Sequence, residues 1–231
     1  MSAVAQLLFA VGGGSAPTDP NFASVVQLAH FDGTNGSTTF TNSAGAGTTM
    51  TAVGAAALST TQSKWGGASL RTSGTGSIAA YASGNSAYGF NTGEYTVEGW
   101  VRFDNVTTTQ DVFAWQDGGS LLRMSSSGVI TYRNDSSNRI VSASDVVAAT
   151  TWHYLSLSRT ASNVHWLHVD GVAIGSWTNN FNYGGTGELY AGNSAFGNPL
   201  IGYLDDFRVT KGVGRYTGSN YTPPAAAHPD S

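Results

Sequence analysis

The chain of 231 residues contains no cysteine, which excludes disulfide bonds and thiolate metal ligands. Charged residues make up only 10% of it, well below the usual share of about a quarter. With so few charges, Ser, Thr, Asn and Gly must cover much of the surface. Such a neutral surface, rich in hydroxyl and amide groups, is typical of β-rich virion proteins, adhesins and carbohydrate-binding proteins.

The sequence also lacks the features of a nucleic-acid-binding or membrane protein. A net charge of −4 gives no electrostatic reason to expect a nucleic acid or an anionic membrane as partner. No apolar run is long enough to cross a bilayer. Residues 1–11 are apolar, but they are few and lack the positive segment of a signal peptide.

The first 24 residues combine this apolar segment with a stretch rich in Gly and Pro. We interpret residues 1–24 as an arm and linker that contacts other subunits, because an isolated apolar arm on a soluble protein needs a partner surface. An unstructured terminus is the alternative.

Short apolar segments separated by turn residues recur along the rest of the chain, and no amphipathic helix is evident. The strongest strand pattern covers residues 95–103, where alternate side chains form an apolar face of Tyr95, Val97, Val101 and Phe103. Regularly spaced short strands predict an all-β protein, a two-sheet antiparallel β-sandwich of the jelly-roll type. We assign residues 25–224 to this single domain and residues 225–231 to a C-terminal tail.

A second strand pattern, at residues 203–209, carries charge. Alternation would place Asp205 on one face with Tyr203, Phe207 and Val209. A carboxylate on such an apolar face needs a cation or several backbone N–H donors. Asp206 is expected on the opposite face, in water beside Arg208.

Four motifs, in chain order, resemble those of a known family. The first two are Leu-Ala-His-Phe-Asp-Gly at 28–33 and Tyr-Thr-Val-Glu-Gly-Trp-Val at 95–101. The third combines Trp-His-Tyr-Leu at 152–155 with Leu-His-Val-Asp-Gly at 167–171, and the fourth is the stretch at 202–224, which contains Lys-Gly, Arg-Tyr and Pro-Pro. Together they resemble LamG-like jelly-roll domains of the concanavalin A-like lectin/glucanase superfamily, of the kind found in bacteriophage structural proteins. Asp206 stands where the family motif has Glu.

The resemblance implies a structural calcium ion. In several relatives, the Asp at the position of Asp205 binds Ca²⁺ together with backbone carbonyls of the first strands, and Asp32 is the natural second ligand here. The alternative is that Asp205 accepts backbone N–H groups while Asp32 forms an Asx-turn. No other cofactor is expected.

Catalytic residues are not predicted. Glycoside hydrolysis needs a pair of carboxyl groups. The chain has only three glutamates, Glu94, Glu98 and Glu188, and it lacks the Glu-x-Asp-x-x-Glu pattern. The five histidines accompany no nucleophile motif. We therefore expect a protein that is not an enzyme, and a glycoside hydrolase is the less favoured alternative.

Carbohydrate binding requires exposed aromatic rings beside planar polar groups. The candidates are Trp166, Trp177, Phe181 and Tyr183, with Trp115 a further aromatic residue and Asn179 the amide. For any single Trp, packing against the sheet is the alternative.

The predicted function is a structural or adhesion component of a virion, as a bacteriophage tail or capsid-decoration protein. We expect a homo-oligomer that contacts other virion subunits through residues 1–24 and binds cell-surface glycan, with no nucleic acid partner and no membrane span. The alternative is a secreted bacterial carbohydrate-binding module at the cell surface.

Overall fold

Sixteen β-strands form most of the regular structure in a computed structural model that describes residues 18–74, 79–115, 119–184, 187–194 and 197–231. The first eight strands are β1 Val25–Ala29, β2 Thr39–Phe40, β3 Met50–Val53, β4 Ala57–Ser59, β5 Ser69–Ser73, β6 Ala79–Asn85, β7 Tyr95–Phe103 and β8 Gln110–Trp115. The others are β9 Ser120–Ser125, β10 Val129–Asn134, β11 Ser137–Val141, β12 Trp152–Arg159, β13 Val164–Val169, β14 Val172–Thr178, β15 Gly187–Ala191 and β16 Ile201–Lys211.

Short 3₁₀ helices at Phe22–Ser24, Ser86–Tyr88 and Ser126–Gly128 are the helical elements of the described ranges. None of the helices there has the length and apolar character needed to cross a membrane.

The strands form two eight-stranded antiparallel sheets. The first sheet has the order β14-β13-β12-β7-β16-β5-β4, and β1 also pairs with β16. The second has the order β11-β10-β9-β8-β15-β6-β3-β2. The predicted all-β sandwich is thus confirmed.

Alternate residues of each strand build the core between the sheets. The predicted apolar face of β7 is confirmed, since Tyr95, Val97, Val101 and Phe103 are fully buried. The second sheet contributes large side chains to the same core, among them Phe113, Trp115, Leu122 and Tyr132.

A β-bulge in β16 corrects the predicted alternation. The pairing with β7 shifts between Asp205 and Arg208, and Asp206 adopts a left-handed φ of 50°. The extra residue returns Phe207 to the core face that Leu204 occupies and turns Asp205 to the opposite face, beside Trp100. The prediction that Asp205 shares a face with Phe207 was therefore wrong.

The outer face of the first sheet lies under the last part of the chain, residues 213–231, which we call the C-terminal strap. Tyr216 N–H donates to Ser158 Oγ at 3.2 Å, and the hydroxyls of Tyr221 and Ser156 lie 2.7 Å apart. The prediction that Asp206 sits in water was wrong, because His228 of the strap covers it and Asp206 is fully buried.

The chain before β1 also packs on this face. Asp19 is 8% exposed, lies 3.0 Å from Arg208 and 2.6 Å from Arg215, and donates its N–H to the Ser231 carbonyl. Packing on the domain therefore begins at least as early as Asp19, before residue 25. Residues 1–17 of the expected arm lie outside the described residues.

Candidate functional site

A cleft of about 110 Å³ opens where the β8–β9 turn meets the β10–β11 turn. It is lined by Gly119, Ser120, Asn134, Asp135 and Phe181. The Phe181 ring is 38% exposed, an uncommon state for a large apolar side chain in this domain. The cleft therefore joins the accessible Phe181 ring to the exposed Asp135 carboxylate, while the side chains of Ser120 and Asn134 are buried at its base.

The polar side of the cleft is fixed by the two turns. Asn134 Nδ2 donates to Ser120 Oγ at 2.8 Å and lies 3.4 Å from the Tyr183 hydroxyl. Asp135 N–H donates to the Gly119 carbonyl at 2.9 Å, and its φ of 49° suits an Asp in a tight turn. The exposed carboxylate of Asp135 is thus held at the cleft by its own backbone.

The loop that carries Phe181 is held by a fully buried arginine. Arg159 donates to the Phe181 carbonyl at 2.9 Å, the Asn163 side chain at 2.6 Å and the Asn179 carbonyl at 3.3 Å. Asn179 Oδ1 in turn accepts the Phe181 N–H at 2.6 Å. Phe181 is therefore presented by an anchored loop.

The sequence-predicted aromatic residues do not form one site. Tyr183 is fully buried and bonded to the hydroxyl of Tyr132 at 2.8 Å, so it cannot serve as an exposed platform, and Trp115 is likewise buried in the core. Trp177 is half-buried and packs 5.0 Å from the His165 ring on the core side. Of the predicted set, Phe181 reaches the cleft, and Asn179 positions its backbone.

Trp166 lies on the opposite side of the first sheet from Trp177. Its neighbours in β13, His165 and Leu167, face the core, so Trp166 faces outward. Gly218 of the C-terminal strap lies against the Trp166 ring, close enough that an added Cβ would come within 2.5 Å of it. Trp166 and Trp177, both candidates for glycan binding, therefore face opposite sides of the first sheet and do not line one surface.

The two predicted calcium ligands converge on one loop. Asp205 Oδ2 accepts the N–H groups of Lys64 and Trp65 at 2.6 and 3.1 Å, and the Asp32 carboxylate lies against Gly66. Burial raises the pKa of Asp205 to about 7, and the charges of Asp206 and Asp32 act in the same direction. These contacts match the alternative interpretation, in which Asp205 accepts backbone N–H groups instead of binding calcium.

Within the described ranges, no group of three or more His, Cys, Asp or Glu side chains is arranged to hold a metal. Calcium binding at Asp32 and Asp205 stays a prediction. A melting temperature that does not change when a chelator is added would contradict it.

Glu98 lies at the centre of a buried charge network under the C-terminal strap. It is fully buried, 2.8 Å from Arg208, and accepts the hydroxyls of Tyr154 at 2.6 Å and Tyr216 at 2.7 Å. Burial raises its pKa, but the charges of Arg208, His228 and Arg215 outweigh burial and lower the pKa to about 2. Glu98 is therefore an ionised carboxylate inside the fold.

A family model described as concanavalin A-like lectin/glucanases superfamily matches residues 72–213, more than half of the chain. The chain belongs to this superfamily. The resemblance found in the motifs is therefore confirmed at the level of the family. No curated protein sequence matches the chain.

Solved structures share the fold of this superfamily member at low sequence identity. Domain 4 of AbnA, a GH43 extracellular arabinanase from Geobacillus stearothermophilus in complex with arabinotriose, has a TM-score of 0.51 at 17% identity, covering 69% of this chain and 77% of that one. The binding domain of Paraclostridial Mosquitocidal Protein 1 has a TM-score of 0.63 at 13% identity, covering 83% and 50%. Trypanosoma rangeli sialidase in complex with sialic acid has a TM-score of 0.62 at 12% identity, covering 90% and 33%.

At these identities the likeness concerns the fold alone. This chain spans about half of the mosquitocidal binding domain and a third of the sialidase. Its lectin-like fold is one that carbohydrate-binding proteins use, and the residues that would bind a ligand must be argued from this chain itself.

Sequence reasoning missed most of the cleft in this superfamily member. Ser120, Asn134 and Asp135 are not among the site residues predicted from the sequence. The available signals were the turn residues at 117–119 and 134–138, but nothing in the sequence indicates that the two turns meet Phe181. That meeting depends on the order of β8, β9 and β10 in the second sheet.

Proposed function

We propose that this protein is a non-enzymatic carbohydrate-binding domain that holds the end of a glycan in the Phe181 cleft. The observation that carries the proposal is the exposed Phe181 ring facing the Asn134 and Asp135 turn. A sugar ring offers an apolar face to an aromatic side chain and hydroxyl groups to amides and carboxylates. The cleft supplies the exposed Phe181 ring for the apolar face and the exposed Asp135 carboxylate for the hydroxyl groups.

The size of the cleft supports recognition of a terminal sugar. Pockets that enclose drug-sized ligands are roughly 300–1,000 Å³, whereas this cleft measures about 110 Å³. A ligand is therefore contacted at one end only. Because Arg159 and Asn179 fix the Phe181 loop, little conformational entropy is lost on binding.

The state of Glu98 supports the non-enzymatic part of the proposal. A glycosidase needs one carboxylic acid that is protonated when it meets the substrate. Glu98 is held ionised by Arg208 and lies under the C-terminal strap. Glu188 accepts hydrogen bonds from the hydroxyls of Tyr81 and Tyr190 at 2.7 and 2.6 Å.

Replacing Phe181 by alanine is expected to reduce binding to a glycan array by about tenfold or more, because the ring is the main apolar surface of the cleft. Its exposure predicts little change in stability. Val172→Ala is the matched control, since Val172 is also an exposed apolar residue, 51% accessible, but lies away from the cleft. An unchanged array profile for Phe181→Ala would contradict the proposal.

We further propose that the domain serves adhesion in a virion, with residues 1–24 providing contacts to other subunits. The apolar sequence of residues 1–11 supports this, as does the anchoring of Asp19 between two arginines, which gives the arm a fixed base on the domain. The alternative role is a free carbohydrate-binding module at a bacterial surface.

The solution mass of the full chain should fall to that of a monomer when residues 1–17 are removed. Truncation should stop at residue 17, because removing Asp19 would take one carboxylate partner from both Arg208 and Arg215. Ser15→Asp provides a full-length control with an added charge outside the apolar residues 1–11. If both the full chain and the truncated chain were monomers, the result would favour the alternative role of a free carbohydrate-binding module.

A further inference from the structure

An apolar groove of about 230 Å³ opens at the edge of the sandwich where β14 and β11 are the last strands of their sheets. It is lined by Val146, Val169, Asp170, Val172 and Ile174. Val169 belongs to the core between the sheets, and Val146 and Ile174 pack against that core. The groove is therefore an opening at the side of the hydrophobic core.

The surface that the groove offers to a partner is mainly apolar. Val172 is 51% exposed, and Ile174 is partly exposed. The one carboxylate of the lining, Asp170, accepts the Tyr154 N–H at 2.7 Å and lies 2.7 Å from His153 Nδ1. Asp170 therefore serves the fold, and the valine and isoleucine side chains form the contact surface.

The strand beside the groove has an uncharged edge. Among the described strands, β14 is the last of the first sheet, and its sequence, Val-Ala-Ile-Gly-Ser-Trp-Thr, contains neither a charged residue nor proline. Proteins protect such edges with charged residues or proline, or cover them with another segment. An uncharged edge next to an apolar groove is therefore expected to be covered.

Residues 1–11 have the composition that fits this groove. They contain no charged side chain and include Leu7, Leu8 and Phe9 in a row. Pockets for drug-sized ligands measure roughly 300–1,000 Å³, whereas this groove measures about 230 Å³. The groove therefore suits the side chains of a short apolar segment.

The groove lies beyond the average reach of the arm of its own chain. Asp19 is anchored beside Arg208 of β16, and β16 and β14 are four strand spacings apart, about 19 Å. The C-terminal strap crosses this path, since Asn220 Oδ1 accepts the Ala173 N–H on β14. A flexible linker of the length of residues 12–18 spans only about 13–16 Å on average. The groove of a neighbouring copy is not subject to this limit.

We propose that residues 1–11 of one chain dock in the groove around Val172 of a neighbouring copy. The inference rests on the proposed role of the arm in subunit contacts and names the surface that receives the arm. Each copy has one arm and one groove, so a closed pair or ring fills every groove. The groove lies at the start of β14, and the Phe181 loop follows the end of that strand, so the glycan cleft stays open.

Because the chain has no cysteine, single introduced cysteines test the contact. Full chains with Leu8→Cys are mixed at micromolar concentration with full chains with Val172→Cys, and oxidised glutathione is added. A disulfide-linked dimer of the two variants is expected, measured by mass spectrometry. Leu8→Cys with Val53→Cys is the matched control, because Val53 is also exposed, 36% accessible, but lies on β3 of the second sheet. The groove pair should exceed the control yield by about tenfold or more, since docking raises the effective thiol concentration.

A charge in the groove should weaken the assembly. Val172→Asp is expected to raise the dissociation constant of the oligomer by about tenfold or more, measured by sedimentation of the full chain. Val172→Ala keeps the groove apolar and should have a smaller effect, and Val53→Asp should have none. Because Val172 is exposed, thermal unfolding should show that each variant keeps the fold.

The outcomes separate this inference from the proposed role of the arm. An oligomer that dissociates without residues 1–17 but tolerates Val172→Asp would overturn the inference and leave that role intact. An oligomer that persists without residues 1–17 but dissociates in Val172→Asp would show that another part of the neighbouring copy fills the groove. A double variant, Leu8→Cys with Val172→Cys, that closes its disulfide within a monomer would place the arm in its own groove. Either of these last two results would also overturn the inference.

Discussion

Replacing Glu98 by glutamine is expected to lower the free energy of unfolding by about 3 kcal/mol, the scale for breaking a buried ion pair. The change leaves Arg208 with Asp19 alone, 3.0 Å away, in a region where water is excluded. The pKa of Glu98 indicates a similar loss in the free energy of unfolding, since a fall in pKa from 4.5 to about 2 corresponds to roughly 3 kcal/mol.

The pH dependence of this contribution has a defined sign. The pKa of Glu98 is lower in the folded state than in the unfolded state, so the unfolded chain binds the proton more tightly. The stabilisation is therefore fully present above about pH 4.5 and is lost as the pH falls through about 2. Glu98→Gln should remove this part of the acid sensitivity.

Urea unfolding of wild type and variant at pH 7 and pH 3 measures both effects. Glu94→Gln is the control, since Glu94 lies next to the start of the same strand, is partly exposed and should change stability by less than about 0.5 kcal/mol. If Glu98→Gln were as stable as the wild type, the carboxylate would not be structural, and a catalytic role would have to be reconsidered.

Ending the chain at Gly218 is expected to cost about 4 kcal/mol or more, because the lost residues cover the outer face of the first sheet. Tyr221 stacks on Tyr216 with centroids 3.8 Å apart. His228 Nε2 lies 3.1 Å from the Tyr154 hydroxyl, and its N–H donates to Asp206. Removal would expose Tyr154 and the Glu98 network to water.

Two point variants test the same contact if the shortened chain does not fold. Tyr221→Ala should lower the free energy of unfolding by about 2–3 kcal/mol, whereas Tyr221→Phe, which loses only the hydrogen bond to Ser156, should cost about 1 kcal/mol. Thermal unfolding provides the measurement. If the shortened chain had the same melting temperature as the wild type, the C-terminal strap would add no stability.

The strands and the sandwich could be predicted because both depend on local pattern. The expected strand at 95–103 has the observed bounds of β7. Alternation fails at Asp206, where one residue in a left-handed conformation inserts a bulge. Strict two-residue alternation of side chains cannot reveal such an insertion. The predicted faces of Leu204 and Asp205, before the bulge, were therefore reversed.

The covering of the first sheet could not be predicted either, since its contacts join residues far apart in sequence. Asp19 bonds to Arg215, and Tyr154 meets His228, although each pair is separated by many strands. The same holds for the cleft. Phe181 was identified as a candidate aromatic residue, and it lies in the cleft. Tyr183, two residues later, points into the core towards Tyr132, because the loop ends in a β-bridge between Tyr183 and Asn91.

The most direct test of the central claim is chemical-shift mapping of the ¹⁵N-labelled domain during titration with the neutral oligosaccharide that binds best on a glycan array. The account predicts that the largest amide shifts fall on residues 119–120, 134–135 and 181, with the C-terminal strap unaffected. Largest shifts around Trp166 and the strap, with none at Phe181, would contradict it and place the binding surface on the first sheet.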